Sequence, residues 1–154
     1  MNHGEARRWY EEHGPALLAY ACALLRDPSA GEDVLHQVFL NVLGGRARIV
    51  GAPAPYLFRA VRNAALNHIR GQSREVELGD SVLWLESPDG SKETSLALQS
   101  ALGQLPAEQR EVVVLKIWGQ LTFEEAANVI GTSPNTAASR YRYGLEKLKD
   151  IWHG

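Results

Sequence analysis

Residues 121–142 read LTFEEAANVIGTSPNTAASRYR, and this stretch predicts a helix-turn-helix. Thr122-Phe-Glu-Glu125 is a capping-box pattern that begins a short helix, and Gly131 ends that helix. Ser133-Pro134 is a helix cap followed by proline at the first helical position, so a longer helix begins there. A short helix, a three-residue turn with glycine and a longer helix together form the pattern of a helix-turn-helix.

The second helix of this motif carries polar side chains in its first turns, which are the turns that enter the DNA major groove. Asparagine hydrogen-bonds adenine edges, arginine hydrogen-bonds guanine or phosphate, and serine or threonine can do either. Candidate DNA contacts are therefore Pro134, Asn135, Thr136, Ser139 and Arg140. An ordinary helical hairpin with a solvated polar face is the alternative interpretation.

A second candidate nucleic-acid-binding segment is residues 34–74, which are 41 consecutive positions without an acidic residue. A solvated basic face is the usual explanation of such a run, but surface solubility favours mixed signs. The net charges of residues 1–72, 73–91 and 92–154 are +2, −4 and 0. Two locally basic segments, this one and residues 126–145, separated by an acidic spacer suit a protein that contacts a polyanion at two points.

Within the acid-free segment, a polar band on one side of a predicted helix could contact bases and phosphates; it comprises Asn63, Asn67, His68 and Arg70. Tyr56 and Phe58 precede that band. They could stack on an unpaired base, as in single-strand binders, although such aromatic residues are more often part of the core.

The rest of the chain also shows helical periodicity, and no stretch alternates as a strand would. We expect an all-α protein with two small helical bundles, residues 1–72 and 92–154, joined by a flexible linker at residues 73–91. Trp84 makes this linker too apolar for a purely solvated tether. A closed form that holds Trp84 between the bundles would hide the DNA-binding faces.

Local signals place the other helix boundaries. Pro15 is expected in the first turn of the first helix, and Ser29-Ala-Gly-Glu32 is expected to cap the second. The third helix is expected from about residue 55 to residue 72, and a later one from Pro106 through Trp118.

Composition excludes several classes of protein. The chain has 154 residues, of which 45% are hydrophobic, and its longest apolar run, Ala16–Leu25, is too short to cross a bilayer. The single cysteine, Cys22, allows no disulfide framework and is expected to be a small buried residue. The five histidines are scattered without metal-ligand spacing. We therefore expect a cytoplasmic protein that is not an enzyme and needs no metal or cofactor.

Several runs resemble the two DNA-binding regions of bacterial sigma factors. Gly31-Glu-Asp-Val-Leu-His-Gln-Val-Phe39 and Arg62-Asn-Ala-Ala-Leu-Asn-His-Ile-Arg70 are similar to region 2. Leu105-Pro-Ala-Glu-Gln-Arg-Glu-Val-Val-Val-Leu115, together with the helix-turn-helix, is similar to region 4. Two regions without regions 1 and 3 resemble the extracytoplasmic-function (ECF) branch of the sigma-70 family.

The resemblance implies three surfaces. Core RNA polymerase would be bound by Glu32, Asp33, Gln37 and Phe39. The promoter −10 element would be bound and melted by Arg46, Arg48, Arg59, Arg62, Asn63, Asn67, His68 and Arg70. The −35 element would be recognised by Ser133, Asn135, Thr136, Ser139, Arg140 and Arg142. An anti-sigma factor is a further implied partner.

Two other functions remain open from the sequence. A sigma mimic would sequester an anti-sigma factor without binding polymerase, and the absence of charged residues that the family often carries, as at His36-Gln37, motivates it. An independent helix-turn-helix regulator would bind duplex DNA by itself, usually as a dimer.

Overall fold

The computed structural model describes residues 3–45, 49, 51–71, 85, 90 and 92–153. All regular elements in these ranges are α-helices, which confirms the all-α prediction. In chain order they are α1 (His3–Leu25), α2 (Pro28–Leu43), α3 (Pro53–Arg70), α4 (Lys92–Gly103), α5 (Ala107–Ile117), α6 (Phe123–Ile130) and α7 (Pro134–His153).

The first bundle consists of α1, α2 and α3, each packed against the other two. Helix α2 presents an apolar stripe to α1 because Val34, Leu35 and Val38 recur at helical spacing and are buried. Gly31 lets the two helices approach closely, since a Cβ there would lie 2.5 Å from the Cys22 sulfur. Cys22 itself is buried, as expected of a small apolar residue.

Two sequence signals for helix starts were wrong. Pro15 lies inside α1, which begins at His3, because the turns before Pro15 bury Ala6 and pack Trp9 on the core. Ser29 is not the cap of α2. Asp27 is the cap, and its carboxylate accepts hydrogen bonds from the Ser29 and Ala30 amides. Pro28 then occupies the first turn, where its missing N–H costs nothing.

The second bundle consists of α4, α5, α6 and α7, with α7 in contact with the other three. Helix α5 is apolar on several sides because Val112, Val113, Val114 and Leu115 are consecutive and fully buried. One neighbouring helix cannot cover all four side chains, so α5 packs against α6 and α7 on one side and α1 on another.

The two bundles therefore share one continuous core. Helix α1 packs on α5 and α3 packs on α6, so the closed form anticipated from the sequence is present. Leu85, from the segment between the bundles, is buried in this core. Trp84 lies outside the described residues.

Two further features concern the described ranges only. None of their helices is both long and apolar enough to cross a lipid bilayer. Nor do three His, Cys, Asp or Glu side chains come together there as a metal ion would require.

Gly144 controls how closely α7 approaches α5, because a Cβ at this position would lie 2.8 Å from Val113 Cγ2. Alanine should gain about 1 kcal/mol of helix propensity and lose about 1–3 kcal/mol to overpacking. We expect Gly144→Ala to lower the free energy of unfolding by about 1 kcal/mol in urea titrations. In the double variant Gly144→Ala/Val113→Ala the overpacking disappears. The change in unfolding free energy of the double variant should therefore differ from the sum of the changes in the two single variants. Strict additivity would contradict this packing.

Candidate nucleic-acid interface

The helix-turn-helix forms as the sequence predicts. The Glu125 amide donates to Thr122 Oγ1 at 3.0 Å, and the Thr122 amide donates to Glu125 Oε1 at 2.9 Å, which completes the capping box. Gly131 ends α6 in the left-handed conformation, with φ of 76° and ψ of 40°. Only glycine adopts this conformation without steric cost, so Gly131 fixes the turn between the two helices.

The start of α7 is fixed by Ser133, whose hydroxyl accepts a hydrogen bond from the Thr136 amide at 3.1 Å. The same hydroxyl donates to Thr136 Oγ1 at 3.0 Å, so the two side chains orient each other. Ala137 is fully buried beneath them. A small residue at this position allows α7 to pack closely against its bundle, so that the side chains of Ser133 and Thr136 face outward.

The outward face of α7, together with Ser133 that caps it, carries every residue expected at the −35 element. Ser133, Asn135 and Arg142 are exposed, and Thr136, Ser139 and Arg140 are partly exposed. The Arg140 guanidinium lies 3.7 Å from the Glu108 carboxylate, a partly exposed ion pair that limits its rotation. The Arg142 guanidinium lies 5.0 Å from the centre of the Tyr143 ring. These contacts give the two arginines preferred directions while leaving both reachable from solvent.

Helix α3 presents a second polar strip. Tyr56, Asn63, Asn67 and Arg70 are exposed and recur at helical spacing, so they lie on one side of the helix. Arg70 donates to Asn67 Oδ1 at 3.3 Å. His68 is partly buried beside this strip. The sequence led us to expect that a closed form would hide the candidate DNA-binding faces, but this strip stays exposed in the closed form.

The two aromatic residues of this segment have different roles. Phe58 is buried and packs edge-on against Tyr20, with 5.6 Å between ring centres, so the core interpretation is confirmed for Phe58 and the alternative of base stacking is wrong. Tyr56 is exposed at the start of the strip and remains available for stacking.

Arg59 and Arg62 point from α3 toward the second bundle. Arg59 Nη1 donates to Asn128 Oδ1 of α6 at 3.1 Å. Arg62 Nε donates to Glu111 Oε1 of α5 at 2.5 Å, in an ion pair whose carboxylate is nearly buried. Two expected DNA contacts thus already have partners in the second bundle, Arg59 at an exposed contact and Arg62 at a partly buried one. Arg46 and Arg48 lie outside the described residues.

Glu111 is the centre of the contact between the bundles. Its side chain is 9% exposed, and besides Arg62 it accepts a hydrogen bond from the Tyr20 hydroxyl at 2.5 Å. Burial, followed by the charge and hydrogen bond of Glu111, raises the pKa of Tyr20 well above its usual value. Burial alone would lower the pKa of Arg62, but Glu111 outweighs it and the pKa is raised. The carboxylate therefore holds a neutral phenol and a charged guanidinium together.

A second buried charge stabilises the same junction. Arg110 donates to the carbonyl oxygens of Leu102, Leu105 and Ala23 at 3.0, 3.0 and 3.2 Å. Burial and the nearby charge of Arg26 lower the pKa of Arg110. Because Ala23 belongs to α1 and the other carbonyls lie around the end of α4, this arginine fastens one bundle to the other.

The surface expected to bind polymerase lies on α2. Glu32, Asp33 and Gln37 are exposed, but Phe39 is 6% exposed and packs against Tyr10, with 5.1 Å between ring centres. Phe39 is therefore a core residue here. Leu40, the next residue along α2, is 63% exposed and supplies the apolar side chain on the outer face.

Two family models match this architecture. The model described as Sigma-70 region 2 matches residues 9–75, and the model described as Sigma-70, region 4 matches residues 95–148. The chain belongs to the sigma-70 family. The polar strip of α3 thus lies in a region 2 match and the helix-turn-helix in a region 4 match.

Relatives place the chain in the ECF branch of this family. It is 30% identical over 149 residues to the RNA polymerase sigma factor CarQ of Myxococcus xanthus, covering 92% of this chain and 86% of CarQ. It is 27% identical over 160 residues to the ECF RNA polymerase sigma factor SigL of Mycobacterium tuberculosis, covering 93% and 86%. Its fold is similar to that of RpoE from Bartonella quintana, solved with the anti-sigma factor NepR, at a TM-score of 0.78, 23% identity and 96% coverage of both chains.

The polar side chains that join the two regions were not identified from the sequence, although a signal for them existed. Tyr20, Arg110 and Glu111 lie within or beside strongly apolar runs, where charged and phenolic groups need partners. A helix with four consecutive apolar residues, as in 112–115, also needs more than one covering neighbour. The identity of those partners depends on tertiary contacts 49 and 91 residues apart in sequence.

The raised pKa of Tyr20 predicts an alkaline loss of stability. The protonated Tyr20 phenol contributes stability that is fully present below the pKa of tyrosine in the unfolded chain, about 10. This contribution is lost as the pH rises toward the higher pKa of Tyr20 in the folded protein. Above about pH 10, Tyr20 should contribute a decrease of up to about 1.4 kcal/mol per pH unit in the free energy of unfolding. Tyr20→Phe should remove that contribution, while Tyr143→Phe, at an exposed tyrosine, should leave it. Equal slopes of the unfolding free energy against pH in the two variants would contradict the assignment of Tyr20 as a buried, hydrogen-bonded phenol.

Proposed function

We propose that this ECF factor is the promoter-specificity subunit of a bacterial RNA polymerase. Residues 1–72 would act as region 2, residues 92–154 as region 4 and residues 73–91 as the linker between them. The observation that carries the proposal is the capped helix-turn-helix, whose polar face is exposed in a chain that matches both sigma regions.

Core polymerase would bind the outer face of α2. Glu32, Asp33 and Gln37 supply charge and hydrogen bonds, and Leu40 replaces Phe39 as the apolar contact. An acidic face with an exposed leucine suits a basic partner helix, because opposite charges orient the encounter and apolar burial stabilises the complex.

The −10 element would contact the polar strip of α3. Asn63, Asn67 and Arg70 can hydrogen-bond bases and phosphates, with His68 beside them, and Tyr56 can stack on an unpaired base. Four further arginines of region 2 would contact phosphates: Arg46, Arg48, Arg59 and Arg62. Together these groups favour a melted strand over a closed duplex.

The −35 element would be read by α7 in the major groove. Asn135 can pair with an adenine edge, and Arg140 with guanine or phosphate. Ser133 caps α7 and would lie beside the DNA backbone. Thr136, Ser139 and Arg142 would complete the contact surface.

Chemistry at the promoter would belong to the polymerase, so this chain is proposed as a binding subunit and not an enzyme. It would act in the bacterial cytoplasm, where DNA and polymerase are found. An anti-sigma factor is a proposed regulator, supported by the similar fold of RpoE, which was solved in complex with NepR.

The α2 face predicts the first test. Asp33→Arg should weaken retention of core RNA polymerase by about tenfold or more in a pull-down, because like charges facing each other at an interface cost several kcal/mol. Glu12→Arg makes the same charge reversal at an exposed position of α1 and should bind as the wild type does. A folded wild-type protein that fails to retain core polymerase would contradict the proposal and favour the sigma mimic.

Helix α7 predicts the second test. A holoenzyme with Asn135→Ala should lose selectivity at one adenine-containing position of the upstream element, by about 1–3 kcal/mol, because the bidentate contact is removed. Selection from a DNA library randomised in that element measures this loss. Glu146→Ala, on an exposed turn farther along α7, serves as the control. Unchanged base preferences in the Asn135 variant would contradict the assigned readout.

A further inference from the structure

Arg140 lies at the border between the packed side and the exposed face of α7. Ala137 and Gly144, three residues before it and four residues after it, are buried on the packed side. Asn135 and Arg142 are exposed on the face proposed to contact DNA. Arg140 itself is partly exposed, so its long side chain reaches either the DNA face or the flank of the helix, depending on what attracts its charge.

Glu108 supplies a negative charge at this border. It lies in the first turn of α5. Its carboxylate is 3.7 Å from the Arg140 guanidinium, and its side chain is 62% exposed. Helix α5 is held at this distance because α7 packs closely on it at Gly144, where a Cβ would lie 2.8 Å from Val113 Cγ2. The same close packing that positions α7 thus brings the carboxylate beside the arginine.

The contact between Glu108 and Arg140 is electrostatic. At 3.7 Å it is too long for a hydrogen bond, so it uses none of the guanidinium N–H groups. As far as Glu108 is concerned, Arg140 therefore keeps all its donors for DNA. An exposed pair of this kind contributes little to stability, and its effect is on the direction of the arginine and on the net charge around it.

Two kinds of DNA acceptor suit an arginine, and Glu108 affects them differently. A phosphate is anionic, whereas the O6 and N7 atoms of guanine belong to a neutral base. A phosphate bound to Arg140 would bring its charge close to the Glu108 carboxylate, well within the screening length of about 10 Å at 0.1 M salt. The like charges repel each other, so Glu108 weakens phosphate binding and leaves guanine binding nearly unaffected.

We propose that Glu108 is a specificity-determining residue that positions Arg140 for a guanine in the −35 element by disfavouring its contact with phosphates. The inference rests on the proposed function, since promoter DNA is the ligand. It concerns contacts within region 4 alone and involves no movement between the regions. Glu108 thus lowers the affinity for any sequence without the guanine, and this gives Arg140 its selectivity.

Base selection by the holoenzyme tests the role of Glu108. Core polymerase with the full chain is used to select promoters from a duplex library randomised in the upstream element. Arg140→Gln should abolish a guanine preference at one position. Glu108→Gln should lower the same preference about two- to fivefold, the range for a partly exposed ion pair, and leave the other positions unchanged. In Glu108→Gln/Arg140→Gln the preferences should match those of Arg140→Gln alone, because Glu108 acts through Arg140.

The salt dependence of non-specific binding gives a second measure. Binding of the full chain to a fluorescein-labelled duplex that lacks the element is followed by anisotropy over a salt series. The slope of log K against log salt changes by about −0.9 per phosphate contact. Glu108→Gln should steepen this slope by about 0.9, because Arg140 then binds a phosphate, and the double variant should not. Glu146→Gln removes another exposed carboxylate of region 4 and should change neither the slope nor the base preferences.

Three results would overturn the inference. These are an Arg140→Gln variant that keeps every guanine preference, a Glu108→Gln variant that behaves as Glu146→Gln does in either measurement, and a Glu108→Gln variant that changes the preferences at all positions equally. Glu108 is exposed, so its variant should fold, and a urea titration checks this. A wild-type holoenzyme that selects no upstream sequence would overturn the proposed function as well. Selection by the wild type with unchanged preferences in Glu108→Gln would overturn the inference alone.

Discussion

Helix α5 must bury apolar side chains on several sides, and the rest of the structure depends on this constraint. Val112–Leu115 cannot be covered by region 4 alone, so α1 of region 2 supplies the remaining surface. Two charged residues precede this run and enter the interior with it. Arg110 is satisfied by three carbonyl oxygens and Glu111 by Tyr20 and Arg62. Since an unpaired buried charge is costly, these contacts define how the two regions meet.

The junction and the proposed DNA surfaces are built from the same helices. On α3, the apolar side packs into the core, Arg59 and Arg62 reach region 4, and the side turned away from the core carries the exposed asparagines. On α7, Gly144 and Ala137 face inward and allow close packing, so the polar turns are held outward. The side chains proposed to contact DNA therefore lie on packed helices and are positioned before any ligand binds, and one of them, Arg62, is already paired with Glu111.

Much of this arrangement could be predicted from sequence because it depends on local signals. The capping box at Thr122–Glu125, the left-handed Gly131 and the Ser133 cap each involve residues three or fewer positions apart, or a single backbone conformation. Local signals failed where tertiary contacts outweighed them. Pro15 lies inside α1 because Ala6 and Trp9 pack on the core. The error at Ser29 was of another kind, because one local signal was chosen over another: Asp27 caps α2, with Pro28 in the first turn.

The parts of the site that could not be predicted depend on partners far apart in sequence. Phe39 is not such a case, because it shares the helical spacing of Leu35 and Val42 and is buried with them, whereas the adjacent Leu40 lies off that stripe and is exposed. By contrast, nothing local to Arg62 indicates a carboxylate 49 residues away. Helical spacing identifies which residues share a face, but it does not identify what covers that face.

The central claim is that this chain gives a polymerase its promoter specificity, and transcription itself tests this most directly. Core RNA polymerase is incubated with fragments of the genome that encodes the chain, with and without the protein, and transcript 5′ ends are mapped. The account predicts discrete start sites that need the protein and share two upstream elements at a fixed separation. Start sites that are identical with and without it would contradict the account.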